Sequence, residues 1–262
     1  MITIQKYIRP QSLEEAWQLN QNKRSRILGG MLWTRLGRGS IGTAIDLCDL
    51  SLDAIEETED AFSIGAMVSL RDLELHPGLN GCFHNAIANA VQDIVGVQFR
   101  NMATVGGSIW GRFGFSDVLT VFLALECYVE LYKGGLVPLE TFVNRKKDRD
   151  LLLRLVVKKP SCPVAYTAMR IQRTDFPVLT CAVSNPDGQY RAVIGARPGK
   201  AMVIRDEENL LGAGITPESA ELFGRYVARH TPTEGNIRGS AAYRTHLVQV
   251  LVKRSLLILG GM

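Results

Sequence analysis

Two short segments of the 262-residue sequence carry residue types that can hold an anion beside a planar ring. One is Ile27-Leu28-Gly29-Gly30-Met31-Leu32-Trp33 and the other is Thr104-Val105-Gly106-Gly107-Ser108-Ile109-Trp110. Each runs through two glycines, a variable residue and an aliphatic to a tryptophan. Glycine lets backbone approach a ligand closely and adopt positive φ. Successive amides in such a turn can point into one concavity and bind an anion. Two such loops facing each other can hold a diphosphate without a lysine. Trp33 and Trp110 would then flank a planar group, because aromatic faces stack favourably. Neither segment has the three spaced glycines of the dinucleotide fingerprint or the Gly-Lys-Ser/Thr ending of the P-loop, so a nucleotide site here needs a different fold. Gly-Gly also occurs at Gly134-Gly135 and Gly260-Gly261, and tight turns explain most such pairs.

Other chemistries find little support. Cys48, Cys82, Cys127, Cys162 and Cys181 are spread out, and His76, His84, His230 and His246 lack ligand spacing. No zinc or iron–sulfur motif can be read from them. The odd cysteine count gives no disulfide framework, and a cytoplasmic location is the expectation. The net charge of +4 is small, with no basic stripe interleaved with aromatics, so nucleic acid is not an expected partner. The most apolar stretch, 247–259, contains Lys253 and Arg254 and is too short to span a bilayer. It reads as a buried amphipathic helix. The start of the chain lacks the apolar stretch of a signal peptide.

The elements that must position the glycine segments follow from periodicity and punctuation. Ile2 to Ile8 reads as a strand. A helix follows, opened by the capping box Ser12-Leu13-Glu14-Glu15. Strands are expected at Arg24 to Leu28, Thr43 to Leu47 and Ala61 to Val68, and a helix start near Ser69. Cys82 to Ile94 has helical spacing, a glycine-containing stretch covers Gly96 to Gly114, and Asp117 to Leu125 reads as a buried helix. Cys127 to Tyr132 reads as a strand, and 145–149, Arg-Lys-Lys-Asp-Arg, as a solvated turn. Beyond Asp150 the texture changes to successive strands at Leu151 to Val157, Val164 to Ile171, Val178 to Ser184 and Ala192 to Ala196. Asn185-Pro186-Asp187-Gly188 is a hairpin signal between two of them. Thr216-Pro217 and Ser240 open two last helices. The layout is α+β, mixed at the N-terminal end and antiparallel sheet plus helices at the other.

Gln98-Phe99-Arg100-Asn101-Met102-Ala103-Thr104-Val105-Gly106-Gly107-Ser108-Ile109 resembles the flavin-binding signature of the molybdenum hydroxylases, the family of xanthine dehydrogenase and aerobic CO dehydrogenase. Leu28-Gly29-Gly30 resembles the family's first glycine loop, and Ser116-Asp117 follows at the family's distance. Ile64-Gly65-Ala66-Met67-Val68-Ser69-Leu70 and Tyr243-Arg244 with Val250 to Arg254 resemble further markers in the same order. The resemblance implies an FAD-binding medium subunit. Its fold would be the two-lobed vanillyl-alcohol-oxidase (PCMH) type over 1–160, with subdomains of about 1–55 and 56–160. A CO dehydrogenase flavoprotein C-terminal-like domain would follow over 161–262. It implies a partner with two [2Fe-2S] clusters, a molybdopterin-binding large subunit, and NAD or another electron acceptor. For FAD it implies Leu28, Gly29, Gly30, Met31, Leu32, Thr104, Val105, Gly106, Gly107 and Ser108 at the pyrophosphate. Asp117 and Leu153 would lie at the adenosine side, with Arg170 where the family often has lysine. Trp33 and Trp110 would lie toward the isoalloxazine.

Two departures stand out. Met31 and Leu32 replace the hydroxyl and polar residues usual in the first loop. Phe113-Gly114-Phe115 replaces the small-residue-and-proline lead into Ser116-Asp117. The first departure favours a second reading, a non-catalytic subunit that keeps the fold and docking role but binds flavin weakly or not at all. Both Gly-Gly segments and Asp117 speak against it.

Overall fold

The computed structural model describes residues 1–159, 163–186 and 188–261. Cys162, the expected domain boundary near residue 160 and Asp187 of the expected hairpin turn lie outside the described residues. The strands are β1 (Ile2–Ile8), β2 (Ser25–Leu28), β3 (Gly39–Asp46), β4 (Ile55–Glu57), β5 (Ala61–Gly65), β6 (Cys127–Leu131), β7 (Gly135–Pro138), β8 (Leu152–Lys158), β9 (Val164–Met169), β10 (Leu179–Ser184), β11 (Arg191–Gly195) and β12 (Met202–Arg205). The helices are α1 (Leu13–Asn20), α2 (Leu70–Leu75), α3 (Pro77–Cys82), α4 (Ala86–Val91), α5 (Val97–Arg100), α6 (Val105–Gly111), α7 (Asp117–Leu123), α8 (Leu139–Asn144), α9 (Pro217–His230) and α10 (Ala241–Leu259). The chain forms two compact units. One holds Met1–Asp72, Val97–Gly111 and Cys127–Lys158, and the other Leu73–Gly96, Arg112–Glu126 and Lys159–Met262.

The first unit contains two sheets. β1, β3 and β2 lie side by side in that order, all parallel. α1 packs on this sheet and buries Ala16 with Ile45, Leu47, Leu52, Leu151 and Leu153. Ser12 caps α1 by accepting from the Glu15 amide at 3.2 Å. The Glu15 carboxylate reaches the amide of Gln11, not that of Ser12, so the reciprocal half of the expected box closes one residue early. The second sheet is antiparallel in the order β4-β5-β8-β6-β7. β8 reads in sequence as the first of the later strands, yet it pairs with β5 and β6 in the middle of this sheet. Part of the charged run 145–149 also differs from expectation. The Arg149 guanidinium donates to the carbonyls of Asn20, Asn22 and Ser25, which ties the run to the α1–β2 connection.

The second unit is a four-stranded antiparallel sheet, β12-β11-β10-β9, with helices on both faces. All six positions of β10 are buried, as a strand covered on both sides requires. Cys181 and Val183 face the core built with α9 and α10. The alternate residues face α7: Thr180 pairs its hydroxyl with Thr120 at 2.9 Å, and the Ser184 hydroxyl donates to the Ala124 carbonyl. Thr216 and Ser219 form the reciprocal box that starts α9, with Pro217 in its first turn. Ser240 caps α10. A Cβ added at Gly224 would lie 2.8 Å from the Gln249 carbonyl, so only glycine lets α9 and α10 approach this closely. Arg244, on α10, is fully buried and donates to the carbonyls of Val178, Glu234 and Gly239 and to Asn236 Oδ1 at 2.6–2.9 Å. A buried guanidinium is tolerable because these acceptors satisfy it.

The expected helix over Cys82 to Ile94 is broken. His84 and Asn85 have φ of 49° and 59°, and the left-handed pair separates α3 from α4. The apolar spacing survives the break, which is why periodicity alone does not reveal it. The glycine-containing stretch Gly96 to Gly114 is mostly helical, as α5 and α6. β4, β7 and β12, three or four residues each, have no counterpart in the sequence reading because they are too short for alternation to register.

Candidate functional site

The first unit brings the two glycine segments together. The Gly29-Gly30 segment leaves the end of β2 and lies against 102–107. A Cβ at Gly29 would sit 2.7 Å from Thr104 Oγ1 and 3.9 Å from the Gly107 Cα. A Cβ at Gly30 would collide with the carbonyl of Met102. Both glycines are thus required by close approach. Positive φ is not the reason: among these residues the left-handed one is Met31, at φ 58°. Its side chain packs toward Leu28, Ile41 and Ala44.

The backbone amides of the two segments differ. The second segment is the first turn of α6, not an open loop, and its amides are spent within the protein. Val105 donates to the Val68 carbonyl at 2.9 Å, Gly106 to Ala66 at 2.8 Å, and Ser108 to Thr104 at 3.1 Å. Gly107 donates to Thr104 Oγ1 at 3.1 Å. In the first segment, the amides of Gly30, Met31 and Leu32 have no acceptor among the described residues. Buried or half-buried amides of this kind call for a partner. A row of N–H groups around a left-handed residue is the arrangement that binds anions. These residues therefore fit a pyrophosphate, and they do so without the missing hydroxyl at position 31.

The second unit holds the other expected group. Asp117 is the first residue of α7, which Ser116 caps by accepting from the Leu119 amide at 3.0 Å. Its carboxylate is buried and tied to Arg170, whose Nη2 lies 2.5 Å from Oδ1. The Tyr166 hydroxyl donates to the same oxygen at 2.5 Å. Arg170 also donates to the Asp175 carbonyl at 2.7 Å. Burial pushes the Asp117 carboxyl up to about 6, while Arg170 and Tyr166 pull it back toward the charged form. Burial likewise raises the Tyr166 hydroxyl well above its usual range. The sequence reading missed Tyr166. The one available signal is that residues 166 and 170 share a face of an extended strand. The departure at Phe113-Gly114-Phe115 is an aromatic cluster here. Phe113 stacks on Phe115 at 5.2 Å, and Phe115 meets Phe176 edge-on at 4.7 Å.

The remaining expected residues have mixed surroundings. Leu153 packs its side chain into the core with Ala16 and Ile45, and its carbonyl accepts from Ala66 at 2.8 Å. Trp110 packs on the buried Phe142 with centroids 5.6 Å apart, so part of it is core. Trp33 is 41% exposed. Among the described residues no group of three or more His, Cys, Asp or Glu is placed to hold a metal ion, and no helix is long and apolar enough to cross a membrane.

Residues 2–164 match the family described as the FAD binding domain in molybdopterin dehydrogenase, and residues 164–259 match the CO dehydrogenase flavoprotein C-terminal domain. The chain belongs to this family: it is an FAD-binding oxidoreductase subunit of the molybdenum hydroxylase type. It is 28% identical to the uncharacterized protein YgfM of Escherichia coli K12, over 95% of this chain and 94% of that protein. It is 26% identical to the nicotine 6-hydroxylase medium subunit of Paenarthrobacter nicotinovorans, over 98% and 97% of the two chains. A chain in a structure of the Hydrogenophaga pseudoflava carbon monoxide dehydrogenase lacking the Mo-pyranopterin moiety superimposes with a TM-score of 0.86. That match has 23% identity and covers 98% of this chain and 96% of that one. At that identity it speaks for the fold. The reading of a degenerate subunit that binds little or no flavin finds no support in these relatives.

Proposed function

We propose that this chain is the flavin relay of a cytoplasmic molybdenum-containing hydroxylase. In this reading it takes electrons from an iron–sulfur partner with two [2Fe-2S] clusters and passes them to NAD or another acceptor. A molybdopterin-binding large subunit, joined through that partner, would oxidise the substrate. The observation that carries the reading is the row of unpartnered amides at Gly30, Met31 and Leu32, held against Thr104 and Gly107 in a chain of this family. The pyrophosphate falls to that row, with Gly29 and Gly107 leaving room. The segment Thr104 to Ser108 acts mainly as the scaffold that holds the row in place. Asp117 serves the adenosine half, Arg170 acts on it, and Leu153 contributes its main chain. Trp33 and Trp110 lie toward the ring. The division into an FAD-binding part over 1–160 and a smaller part over 161–262 belongs to the same reading.

When bound, FAD supplies a redox centre that can exchange electrons singly with a cluster and in pairs with a nicotinamide. The protein's part is to bind and orient it.

Purification of the tagged full chain from its native host tests the reading. Flavin absorption bands, preference for FAD over FMN in titration, and co-purification of iron–sulfur and molybdenum subunits are expected. Equal affinity for the two flavins would remove the adenosine contact from the scheme. Recovery of the chain alone, fully active in oxidising a substrate, would overturn the relay.

A further inference from the structure

The Asp117 cluster contains one donor that neither the family resemblance nor the proposed site uses. Tyr166 lies on β9, is buried, and has its hydroxyl 2.5 Å from Asp117 Oδ1. Arg170 Nη2 approaches the same oxygen at 2.5 Å. Two donors thus converge on one oxygen of a carboxylate that has four lone-pair directions. Oδ2 receives no side-chain donor among the described residues. The carboxylate cannot turn without giving up both bonds. Its backbone is fixed as well, because Asp117 sits in the first turn of α7 behind the Ser116 cap.

We propose that Tyr166 is a positioning residue for FAD: with Arg170 it locks Asp117 through Oδ1, so that Oδ2 is the oxygen offered to a ribose hydroxyl of the adenosine half. The inference rests on the proposed role of Asp117 toward adenosine and adds how that carboxylate is aimed. The tyrosine has two effects. It fixes the rotamer, and it favours the ionised form, the better acceptor for a hydroxyl, against the burial that opposes it. Arg170 supplies charge to the same oxygen, and its second nitrogen is anchored on the Asp175 carbonyl at 2.7 Å. The two donors therefore divide the work. The guanidinium neutralises the buried charge, and the phenol, which brings no charge of its own, completes the geometry.

The test uses the full chain stripped of flavin, titrated with FAD and with FMN across pH, for wild type, Tyr166→Phe and Asp117→Asn. Tyr166→Phe removes one hydroxyl and keeps the ring. FAD affinity is expected to fall roughly tenfold, the loss typical of a hydrogen bond to a charged acceptor, while FMN affinity stays as it was. The FAD affinity of the wild type should change with a midpoint near 6, and that midpoint should move to higher pH in Tyr166→Phe. A packing defect alone would weaken both flavins alike and leave the midpoint in place, which would overturn the inference. If Asp117→Asn keeps full FAD preference, the adenosine role of Asp117 itself fails. If Asp117→Asn loses it while Tyr166→Phe keeps it, the role of Asp117 stands and the positioning role of Tyr166 falls.

Discussion

The row at Gly30 to Leu32 and the cluster at Asp117 are built from opposite materials. The row consists of backbone amides alone, held by the close approach of Gly30 to the Met102 carbonyl and of Gly29 to Thr104. The cluster consists of side chains alone, a buried carboxylate with an arginine and a tyrosine on one oxygen. A backbone site is indifferent to side-chain chemistry but intolerant of added volume, because any residue except proline supplies the same N–H. A side-chain site tolerates changes of shape around it but depends on charge and pH. This difference accounts for the departure at Met31. Methionine can replace a hydroxyl residue there because its amide serves the row while its side chain serves the core.

The sharpest way to break the comparison is to add one carbon to the backbone site. Gly30→Ala would drive a Cβ into the Met102 carbonyl, and the backbone there cannot move aside as a flexible side chain could. A loss of about 3 kcal/mol in stability is expected, together with loss of FAD binding. Gly107→Ala meets only Thr104 Oγ1, at 3.0 Å, and gains helix propensity within α6. Its stability should stay within about 1 kcal/mol of wild type. Thermal unfolding and FAD titration of the two variants side by side check this. Equal effects would mean that the two glycine segments are interchangeable after all.

Next in size is Asp117→Ala. It leaves Arg170 buried without its counter-charge, the two side chains being 6% and 8% exposed. Removing one partner of a buried pair costs about 3 kcal/mol. Denaturant unfolding measures the loss. Arg170→Met and Asp117→Leu together with Tyr166→Phe, which removes the hydroxyl that Asp117 accepts from, should recover most of it, since an apolar cluster needs no neutralisation.

The pH dependence comes third. The folded-state pKa of Asp117, about 6, lies above the ordinary aspartate value of 3.8, so the folded state binds the proton more tightly than the unfolded one. The stability this contributes is complete below about 3.8 and is lost as pH rises through 6. Stability of the wild type relative to Asp117→Asn should therefore decline by about 3 kcal/mol across that window and stay level above it. Nothing in the glycine row titrates, so the row itself should add no pH dependence to stability over the same range.

The smallest expected effect is that of Met31→Ala. The amide remains and only the packing toward Leu28, Ile41 and Ala44 is lost. FAD affinity should change by less than about threefold, well under the 1.4 kcal/mol that a tenfold change represents. A much larger loss would show that the methionine side chain, and not its amide, takes part in binding.

By itself the sequence determined the parts that depend on neighbours along the chain. Ser12, Ser116, Thr216 and Ser240 each cap the helix that follows because the acceptor and the orphan amide are three residues apart. Two strand-like runs on either side of the turn signal Asn185-Pro186-Asp187-Gly188 were enough to foresee that β10 and β11 pair antiparallel. The order of the glycine, Arg-Asn and Ser-Asp markers was enough to foresee the family. Tertiary structure alone decided which amides are free. The glycine pairs at 29–30 and 106–107 look alike in sequence, yet the Ala66 carbonyl, forty residues away, takes up the Gly106 amide and Thr104 Oγ1 the Gly107 amide, while Gly30 has no acceptor among the described residues. It also decided that Tyr166 meets Asp117, since 49 residues separate them. Whether a polar group is satisfied depends on what packs against it, and its partners are brought there by sheet and core contacts that local propensity does not encode.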